Sequence, residues 1–291
     1  MNSKTRKVLF DALDIQASYY KGEMSDSSFP ELNDLIYYSY NHPEAPIFLP
    51  KKDYEVVVLM SGGIDSYIAY KYALTKFDNV KAIYIDYGYP YASVEKEAIN
   101  NLKFETPVIF EDYSYLKSKQ QAGEEKWGEI FPGRNWILSI IASQYITDRG
   151  EIWMAAIGGE VKELWGDKSE LFFSEGSKHL SNLTDKRIRI TSPFKELTKG
   201  EIIHWYISQE YPLNELHSTV SCHYITDYTK LPCGKCMGCA HRYVGMHWNN
   251  LYEPHRLDVK AFTEKLYKPV LNSFNEFSPQ RIKEIEAAIQ G

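Results

Sequence analysis

Four cysteines lie close together in the sequence, and their spacing is typical of a metal site. They are the chain's only cysteines, they fall within 18 residues, and gaps of ten, two and two residues separate them: Cys222, Cys233, Cys236 and Cys239. Two-residue gaps let thiolates on one loop turn toward a single ion, and Gly234 and Gly238 free the backbone to form that loop. Four thiolates close a tetrahedral site, which predicts a structural zinc ion without a reactive water.

The same cysteines leave other interpretations open. An iron–sulfur cluster is also held by four cysteines, so ligand type alone does not exclude it. Plain buried thiols would need no ion, but the tight clustering makes this the weaker interpretation. Disulfide bonds are disfavoured because the apolar run Val8–Phe10 is too short for a signal peptide, so we expect a cytoplasmic protein.

A glycine turn between a predicted strand and a predicted helix could bind phosphate. The run Val56–Met60 is short, β-branched and without alternation, which predicts a strand buried on both faces of a parallel sheet. Ser61–Ser66 follows it, and apolar residues at helical spacing come next: Ile68, Ala69, Tyr72 and Ala73. Converging backbone N–H groups and the dipole of a helix N-terminus attract anions. The chain has no Walker sequence, and a turn with only a structural role is the alternative.

Length and composition favour a globular protein that acts on small molecules. The 291 residues are 44% hydrophobic, which is enough for a substantial core. The net charge of −6 argues against a broad surface for nucleic acid. No apolar run approaches the length of a membrane span. We therefore expect neither a membrane partner nor a strong nucleic-acid partner.

The elements that must position these residues alternate between strands and helices. Further strands are predicted at 81–85, 106–110, 152–157 and 187–190. The carboxyl ends of parallel strands meet at one edge, where open α/β sheets bind ligands. The Ser61–Ser66 turn lies at that edge, together with Asp86–Gly88 after the second strand. The pattern predicts an α/β, Rossmann-like parallel sheet flanked by helices.

Two cations stand at the start of predicted helices, where they oppose the helix dipole. Arg134 follows Gly133 before an apolar helix face, and Lys199 follows Thr198. A cation at a helix N-terminus is unfavourable unless it holds an anion, so both are candidates to bind phosphate or carboxylate. A solvated surface side chain is the alternative for each.

The loop Ser-Gly-Gly-Ile-Asp-Ser at 61–66 resembles that of the PP-loop ATP pyrophosphatases, whose fold is the Rossmann-like adenine nucleotide alpha hydrolase fold. Enzymes of this kind split ATP between the α- and β-phosphates and adenylate an oxygen of a second substrate. They include amide-forming synthetases, tRNA-thiolating enzymes and nucleobase-modifying enzymes. The loop alone therefore indicates nucleotide chemistry without choosing the substrate.

The ordered series of motifs is similar to the 7-cyano-7-deazaguanine synthases, the QueC-type branch of these enzymes. The similarity covers roughly residues 54–246 and rests on these segments: Ser61–Ser66, Asp86–Gly88, Pro132–Asn135, Ser192–Phe194, Thr198–Glu201, Ser221–His223 and Cys233–Arg242. The resemblance implies that ATP activates the carboxylate of 7-carboxy-7-deazaguanine, that an amine donor such as ammonia gives an amide, and that a second ATP drives dehydration to the nitrile. It also implies Mg²⁺ with the ATP, and a homodimer.

The resemblance further implies roles for individual residues. The catalytic residues would be Asp65, Arg134 and Lys199, which orient the loop or Mg²⁺ and steady phosphate or carboxylate. The residues that bind the ATP cofactor would be Ser61, Gly62, Gly63, Asp65, Ser66, Asp86, Tyr87 and Gly88. The second substrate would be bound by Arg134, Asn135, Asp167 and Lys168.

The implied domains are an N-terminal extension at 1–53, a PP-loop nucleotide-binding domain at 54–215, and a zinc-binding and helical region at 216–291. Within the extension, Glu31–Tyr38 has helical spacing. Near the C-terminus, Ser278–Pro279 predicts the start of a helix.

Two loops depart from the family pattern and bear on the second substrate. Tyr89–Tyr91 stands where the family has Gln-Arg-His, and Gly166–Ser169 stands where it has Pro-Asp-Cys-Arg. A second hypothesis is therefore a member of an antiphage-defence branch that transfers the activated deazaguanine to a protein amine. A tRNA-modifying PP-loop enzyme and a non-catalytic nucleotide- or zinc-binding module are further alternatives.

Overall fold

The computed structural model describes residues 54–115, 133–158, 168–271 and 277–290. The chain divides into two compact units, Met1–Tyr54 and Glu55–Gly291, and the elements described below belong to the second. The predicted helical segment Glu31–Tyr38 lies outside the described residues. The further division at residue 215 stays a prediction.

A five-stranded parallel sheet forms the centre of the second unit. Its strands are, in chain order, β1 (Glu55–Met60), β2 (Asn79–Asp86), β3 (Ile109–Asp112), β4 (Arg149–Trp153) and β5 (Arg187–Thr191). They lie in the order β3-β2-β1-β4-β5, so β1 is the middle strand. Every side chain of β1 is buried, as expected for a mostly apolar run with a parallel neighbour on each side. The predicted Rossmann-like α/β sheet is confirmed.

Helices connect the strands and continue after the sheet. The first four are α1 (Ile64–Lys76), α2 (Ala92–Asn101), α3 (Arg134–Ser143) and α4 (Glu170–Thr184). The others are α5 (Lys199–Ser208), α6 (Leu213–Ser218), α7 (Met237–Trp248), α8 (Val259–Leu271) and α9 (Pro279–Gln290). A capping box begins α5, because Thr198 Oγ1 accepts from Glu201 N at 3.2 Å and Glu201 Oε2 accepts from Thr198 N at 2.8 Å. This cap fixes the first turn of α5, where Lys199 lies.

The last three helices pack on one another through a small apolar core. Buried residues of α7, α8 and α9 form it: Ala240, Val244, Tyr267, Ile285 and Ala288. The Ser278 hydroxyl accepts a hydrogen bond from Arg281 N at 3.2 Å, and α9 begins at Pro279, so the predicted helix start is confirmed. Among the described residues, no helix is long and apolar enough to cross a bilayer.

Two strands differ from the sequence prediction by three residues or more at an end, and the other three differ by one or two residues. β3 begins at Ile109 rather than at 106, because Pro107 has no N–H to donate to a strand ladder. β4 spans Arg149–Trp153 rather than 152–157. The chain after β4 leaves the sheet and lines a cavity from Met154 onward, so its apolar character reflects burial at the cleft rather than strand pairing.

Candidate active site

The glycine turn after β1 is shaped by close contacts that leave no room for a side chain. Gly62 has a φ of +66°, in the left-handed region, and a Cβ there would lie 2.7 Å from the Glu95 carbonyl oxygen. The Gly62 carbonyl accepts a hydrogen bond from Val220 N at 2.8 Å. The turn is therefore held from two sides, by α2 and by the chain that leads to the first cysteine.

The two serines of the turn bond to the turn itself. Ser66 Oγ accepts a hydrogen bond from Ser61 N at 3.2 Å and donates one to the Gly63 carbonyl at 3.0 Å. The Ser61 and Ser66 hydroxyls lie 3.2 Å apart. Ser66 is buried, whereas Ser61 is exposed. Ser66 thus fixes the shape of the turn, and Ser61 is the hydroxyl that is placed to meet a ligand.

An ion pair joins the first turns of α1 and α5. Lys199 Nζ lies 2.6 Å from Asp65 Oδ1 and 2.5 Å from Asp65 Oδ2, so the amine bonds both carboxylate oxygens. Lys199 is only 4% exposed, while the Asp65 side chain keeps 24% of its surface exposed. The two residues are 134 positions apart in the sequence, and the fold brings them together at the glycine turn.

Arg134 begins α3 and carries a nitrogen without a partner. Its Nε is shielded from solvent and makes no hydrogen bond within the described part of the chain. Because a buried guanidinium N–H without an acceptor is unfavourable, this position suits an anionic ligand. Gly133 precedes it with a φ of +73°, which turns the chain into the helix.

Two adjoining cavities form a cleft at the carboxyl edge of the sheet. The strand-edge cavity, about 220 Å³, is lined by the ends of β1 and β2 and by the chain after β4. The loop cavity, about 280 Å³, lies over the Ser61–Ser66 turn and reaches Val220–His223. Six residues line both cavities: Ser61, Ser66, Tyr91, Glu95, Arg134 and Ala155. The cleft is therefore one space with two compartments.

Most of the predicted site residues that the structure describes line this cleft. The loop cavity is lined by Ser61, Gly63, Asp65, Ser66, Arg134 and Lys199, and the strand-edge cavity also by Tyr87, Asn135 and Lys168. Asp86 and Gly88 lie beside the cavities rather than in their lining. Asp86 accepts a hydrogen bond from Gly88 N at 2.6 Å and pairs with Lys96 at 2.5 Å. Asp167 lies outside the described residues. The roles of all these residues stay predictions.

Glu95 lines the cleft and was missed by the sequence analysis. It lies in the first turn of α2, and its Oε2 accepts a hydrogen bond from the Tyr84 hydroxyl at 2.9 Å. Burial raises the pKa of Glu95 to about 8, although the Tyr84 hydrogen bond and the charge of Arg134 oppose this. Tyr91 is four residues earlier, so helical spacing offered a signal for the shared face. A carboxyl that titrates near neutral pH in a cleft is a candidate for proton transfer.

Aromatic rings before α2 line the same cleft. The Tyr89 and Tyr91 rings stack with centroids 5.3 Å apart and planes 4° apart. Tyr91 also stacks on His223, with centroids 6.4 Å apart and planes 29° apart. Both tyrosines line the strand-edge cavity, and His223 lines the loop cavity. The Tyr89–Tyr91 loop therefore gives the cleft a flat aromatic wall.

The four cysteines converge as their spacing predicts. All are buried, and their Sγ atoms lie within 4.8 Å of one another, with Cys233 Sγ and Cys239 Sγ 3.9 Å apart. A tetrahedral zinc–thiolate site needs sulfurs about 3.8 Å apart, given zinc–sulfur bonds of about 2.3 Å. The cluster could therefore hold a metal ion, and its donor set fits zinc.

Local backbone geometry supports the cysteine cluster. Gly234 has a φ of +75°, and a Cβ on Gly238 would collide with the Ser221 carbonyl oxygen. Hydrogen bonds from Cys236 and Cys239 lower the pKa of the Cys222 thiol, so the cluster favours negative charge on this sulfur. The thiolate is the form that binds a metal ion.

The fold and the cleft define the class of protein to which the chain belongs. A parallel α/β sheet, a glycine turn after its middle strand and a cleft at its carboxyl edge are the features of a Rossmann-like ligand-binding protein. A family model described as Queuosine biosynthesis protein QueC matches residues 55–112 and 103–250. The chain belongs to the QueC family.

The chain is also similar to curated proteins named 7-cyano-7-deazaguanine synthase. It is 24% identical over 234 residues to that of Sulfolobus acidocaldarius, which covers 72% of this chain and 49% of the relative. It is 24% identical over 230 residues to that of Desulfotalea psychrophila, covering 71% of this chain and 97% of the relative. It is 29% identical over 203 residues to that of Archaeoglobus fulgidus, covering 63% of this chain and 83% of the relative. The chain thus spans about half the length of the Sulfolobus relative and nearly all of the Desulfotalea one.

Proposed function

We propose that the protein binds ATP in the cleft and uses it to adenylate the carboxylate of a 7-carboxy-7-deazaguanine-type molecule. The observation that carries this proposal is the convergence of the Ser61–Ser66 turn, the Asp65–Lys199 pair and the unpartnered Arg134 Nε in one cleft. Each of these features suits phosphate or carboxylate, and membership of the QueC family supports the nucleotide chemistry.

The reaction needs positioning and charge stabilisation rather than a side-chain nucleophile. A carboxylate oxygen of the substrate attacks the α-phosphorus of ATP, a new oxygen–phosphorus bond forms, and the bond to the β-phosphate breaks to release pyrophosphate. An amine nitrogen then attacks the acyl carbon, AMP leaves, and the nitrogen loses a proton. Both steps build negative charge on leaving groups, which fixed donors can stabilise.

The residues of the cleft suit these tasks. In the proposal, the turn amides and Ser61 bind the diphosphate, while Lys199 and Arg134 offset the charge that develops as pyrophosphate leaves. Asp65 is the carboxylate that would hold Mg²⁺, which would neutralise phosphate charge when bound. Glu95 is the group suited to take the amine proton, because it lines both compartments and titrates near neutral pH.

A product assay tests the adenylation. The protein is incubated with ATP, Mg²⁺, 7-carboxy-7-deazaguanine and ammonium, and AMP, pyrophosphate and the deazaguanine products are measured by mass spectrometry. We expect AMP and pyrophosphate in equal amounts, and loss of both in Lys199→Met. Lys268→Met is the matched control, since Lys268 is an exposed residue that pairs with Glu264 on α8. ATP binding without release of pyrophosphate would support a non-catalytic module instead.

The amine acceptor defines a second candidate within the same chemistry. Tyr89 and Tyr91 replace the polar family residues and line the cleft, which favours a larger acceptor such as a protein amine over ammonia alone. Accumulation of an amide or of 7-cyano-7-deazaguanine with ammonium would contradict this second candidate. Mass addition to a protein lysine or amino terminus would support it, and AMP release that depends on tRNA would favour a tRNA-modifying enzyme.

We also propose that the four cysteines hold a structural zinc ion. The sulfur separations fit a closed tetrahedral site, in which the ion would supply stability and no reactive water. Elemental analysis of the purified protein should give about one zinc per chain. Iron with visible charge-transfer absorption would contradict zinc and support a cluster.

A further inference from the structure

A buried carboxylate on the last helix reaches the start of α5. Glu284 on α9 is 0% exposed. Its Oε1 accepts a hydrogen bond from the Thr198 hydroxyl, and its Oε2 lies 3.4 Å from Gly200 N, which donates to it. Glu284 therefore bonds the residue before Lys199 and the residue after it. It also lies beyond the residues matched by the QueC family model, which end at 250.

The first turn of α5 is closely packed against α7 and α9. A Cβ added to Gly200 would collide with the Glu284 carboxylate. A Cβ added to Gly245 on α7 would lie 2.7 Å from Lys199 Cγ. The stem of Lys199 is thus packed against α7, while Glu284 of α9 bonds the Thr198 hydroxyl before it and the Gly200 amide after it. The position of the first turn of α5 therefore determines where the Lys199 amine lies.

Hydrogen-bond donors and a cation surround the Glu284 carboxyl group and oppose the rise in its pKa that burial causes. A carboxylate at a helix N-terminus stabilises the unpaired N–H groups of the first turn. The groups that face Glu284 are the Thr198 hydroxyl, the Gly200 amide, Gln280 and Arg281, with Arg281 Nη1 3.8 Å from Oε2. Breaking this buried arrangement would leave α5 free to shift relative to α1, where Asp65 lies.

We propose that Glu284 is a positioning residue of the nucleotide site, which acts through Thr198 and Gly200 to hold the Lys199 amine against Asp65. The C-terminal helix α9 then belongs functionally to the ATP-binding cleft that it does not itself line. This inference rests on the proposed function for the identity of the ligand, ATP, and on the described contacts for the placement of Lys199.

Two measurements separate the positioning role from the proposed function. Acetic anhydride labelling of lysine amines, quantified by peptide mass spectrometry, reports the accessibility of Lys199 without any nucleotide. Titration with Mg²⁺–ATP by calorimetry reports nucleotide affinity. The variants are Glu284→Ala, Glu284→Gln, Thr198→Val and Thr198→Ser, with Glu286→Ala as the control, since Glu286 is exposed on the same helix.

We expect Glu284→Ala and Thr198→Val to label Lys199 several-fold faster and to weaken ATP binding about tenfold, the scale of one lost charged hydrogen bond. Thr198→Ser keeps the hydroxyl and should restore both values. In a double-mutant cycle, Glu284→Ala should add little to the loss caused by Lys199→Met, because Glu284 acts on ATP binding only through the Lys199 amine, which Lys199→Met removes.

Unchanged Lys199 labelling in folded Glu284→Ala and in Thr198→Val overturns the inference, as does a fully additive cycle. If the wild-type protein binds no ATP, the proposed function fails, while faster Lys199 labelling in the variants still supports the positioning of the Asp65–Lys199 pair. Glu284→Gln, which keeps the shape and loses the charge, should give an intermediate labelling rate. A Gln variant identical to wild type would show that charge plays no part.

Discussion

The glycine turn and the cysteine cluster, called here the phosphate side and the cysteine side, are built on different principles. On the phosphate side, the Ser61–Ser66 turn is held by its own hydroxyls, by Val220 N and by close packing on the backbone of α2. On the cysteine side, four buried thiols face one another at distances that suit a shared ion. The first side is complete within the protein, whereas the second has the donor set of a site whose stability comes from a metal.

Because of this difference, we expect substitutions on the two sides to have different effects on catalysis and on stability. A substitution on the phosphate side should reduce catalysis more than stability, because the turn is supported by many independent contacts. A substitution on the cysteine side should reduce stability first, because four ligands act together on one ion. Substitutions on each side can test this contrast.

Loss of one cysteine should destabilise the protein strongly. Cys236→Ser is expected to lower the free energy of unfolding by about 5 kcal/mol, since the remaining ligands hold a metal poorly. Chemical denaturation and elemental analysis measure the two effects together. Met237→Leu, a change at an exposed neighbour, is the control. A Cys236→Ser protein of wild-type stability would show that the cluster is not a metal site.

Loss of the buried lysine should abolish chemistry while leaving the fold. Lys199→Met is expected to reduce AMP formation about 1000-fold, because it removes the cation that we propose to stabilise the leaving pyrophosphate. The melting temperature should change little, since the Asp65 side chain is partly exposed and can be hydrated. A large drop in melting temperature with retained specific activity would contradict the expectation that the phosphate side affects catalysis more than stability.

A side chain added at Gly62 should strain the Ser61–Ser66 turn. Gly62→Ala is expected to destabilise the protein by about 2 kcal/mol, from the left-handed backbone and the clash with the Glu95 carbonyl. Gly133→Ala is the matched control, because Gly133 has a similar positive φ but no atom of the described residues lies within 4 Å of an added Cβ. Denaturant titration should show the smaller loss in Gly133→Ala. Equal losses would mean that the contact with α2 does not constrain the turn.

The effect of Glu95 on stability depends on pH. Burial raises the pKa of Glu95 to about 8, so the folded state keeps a proton that the unfolded state releases above about pH 4.3. Stability should therefore fall as pH rises from about 4 to 8, and Glu95→Gln should be more stable than the wild type at pH 8. The difference between the two proteins should be much smaller at pH 5.

The same substitution tests the proton-transfer role. Glu95 faces Tyr84, Asp86 and Arg134, and these groups stay unchanged in Glu95→Gln. Wild-type amide formation should increase as pH rises toward 8, whereas the variant should be slower and nearly independent of pH in this range. Glu97→Gln, an exposed position on α2, is the control. Identical pH profiles of the wild type and Glu95→Gln would remove Glu95 from the mechanism.

The sequence predicted the parts of the site that depend on local order. The strand, the glycine turn and the helix are contiguous, so their periodicity and turn chemistry were sufficient to place them. The cysteine cluster was equally accessible, because two-residue gaps bring thiolates together within one loop. In both cases the determining contacts connect residues that are near in the chain.

The parts that escaped prediction depend on contacts between distant segments. Nothing in the spacing of Asp65 and Lys199 indicates that they pair, and Glu284 lies 86 residues from Thr198. Glu95 could have been found from its helical spacing with Tyr91, once the start of α2 was known. The end of β4 was misplaced because an apolar run looks the same whether a sheet or a cleft buries it.

The hydrogen bond from Val220 to Gly62 connects the cysteine segment directly to the glycine turn. Val220 is two residues before the first cysteine, so the segment that an ion would order also supports the turn at which a nucleotide would bind. If a bound ion raises the affinity for the nucleotide by some factor, the bound nucleotide must raise the affinity for the ion by the same factor. Metal depletion and thiol oxidation should therefore act on this protein as negative effectors of nucleotide binding.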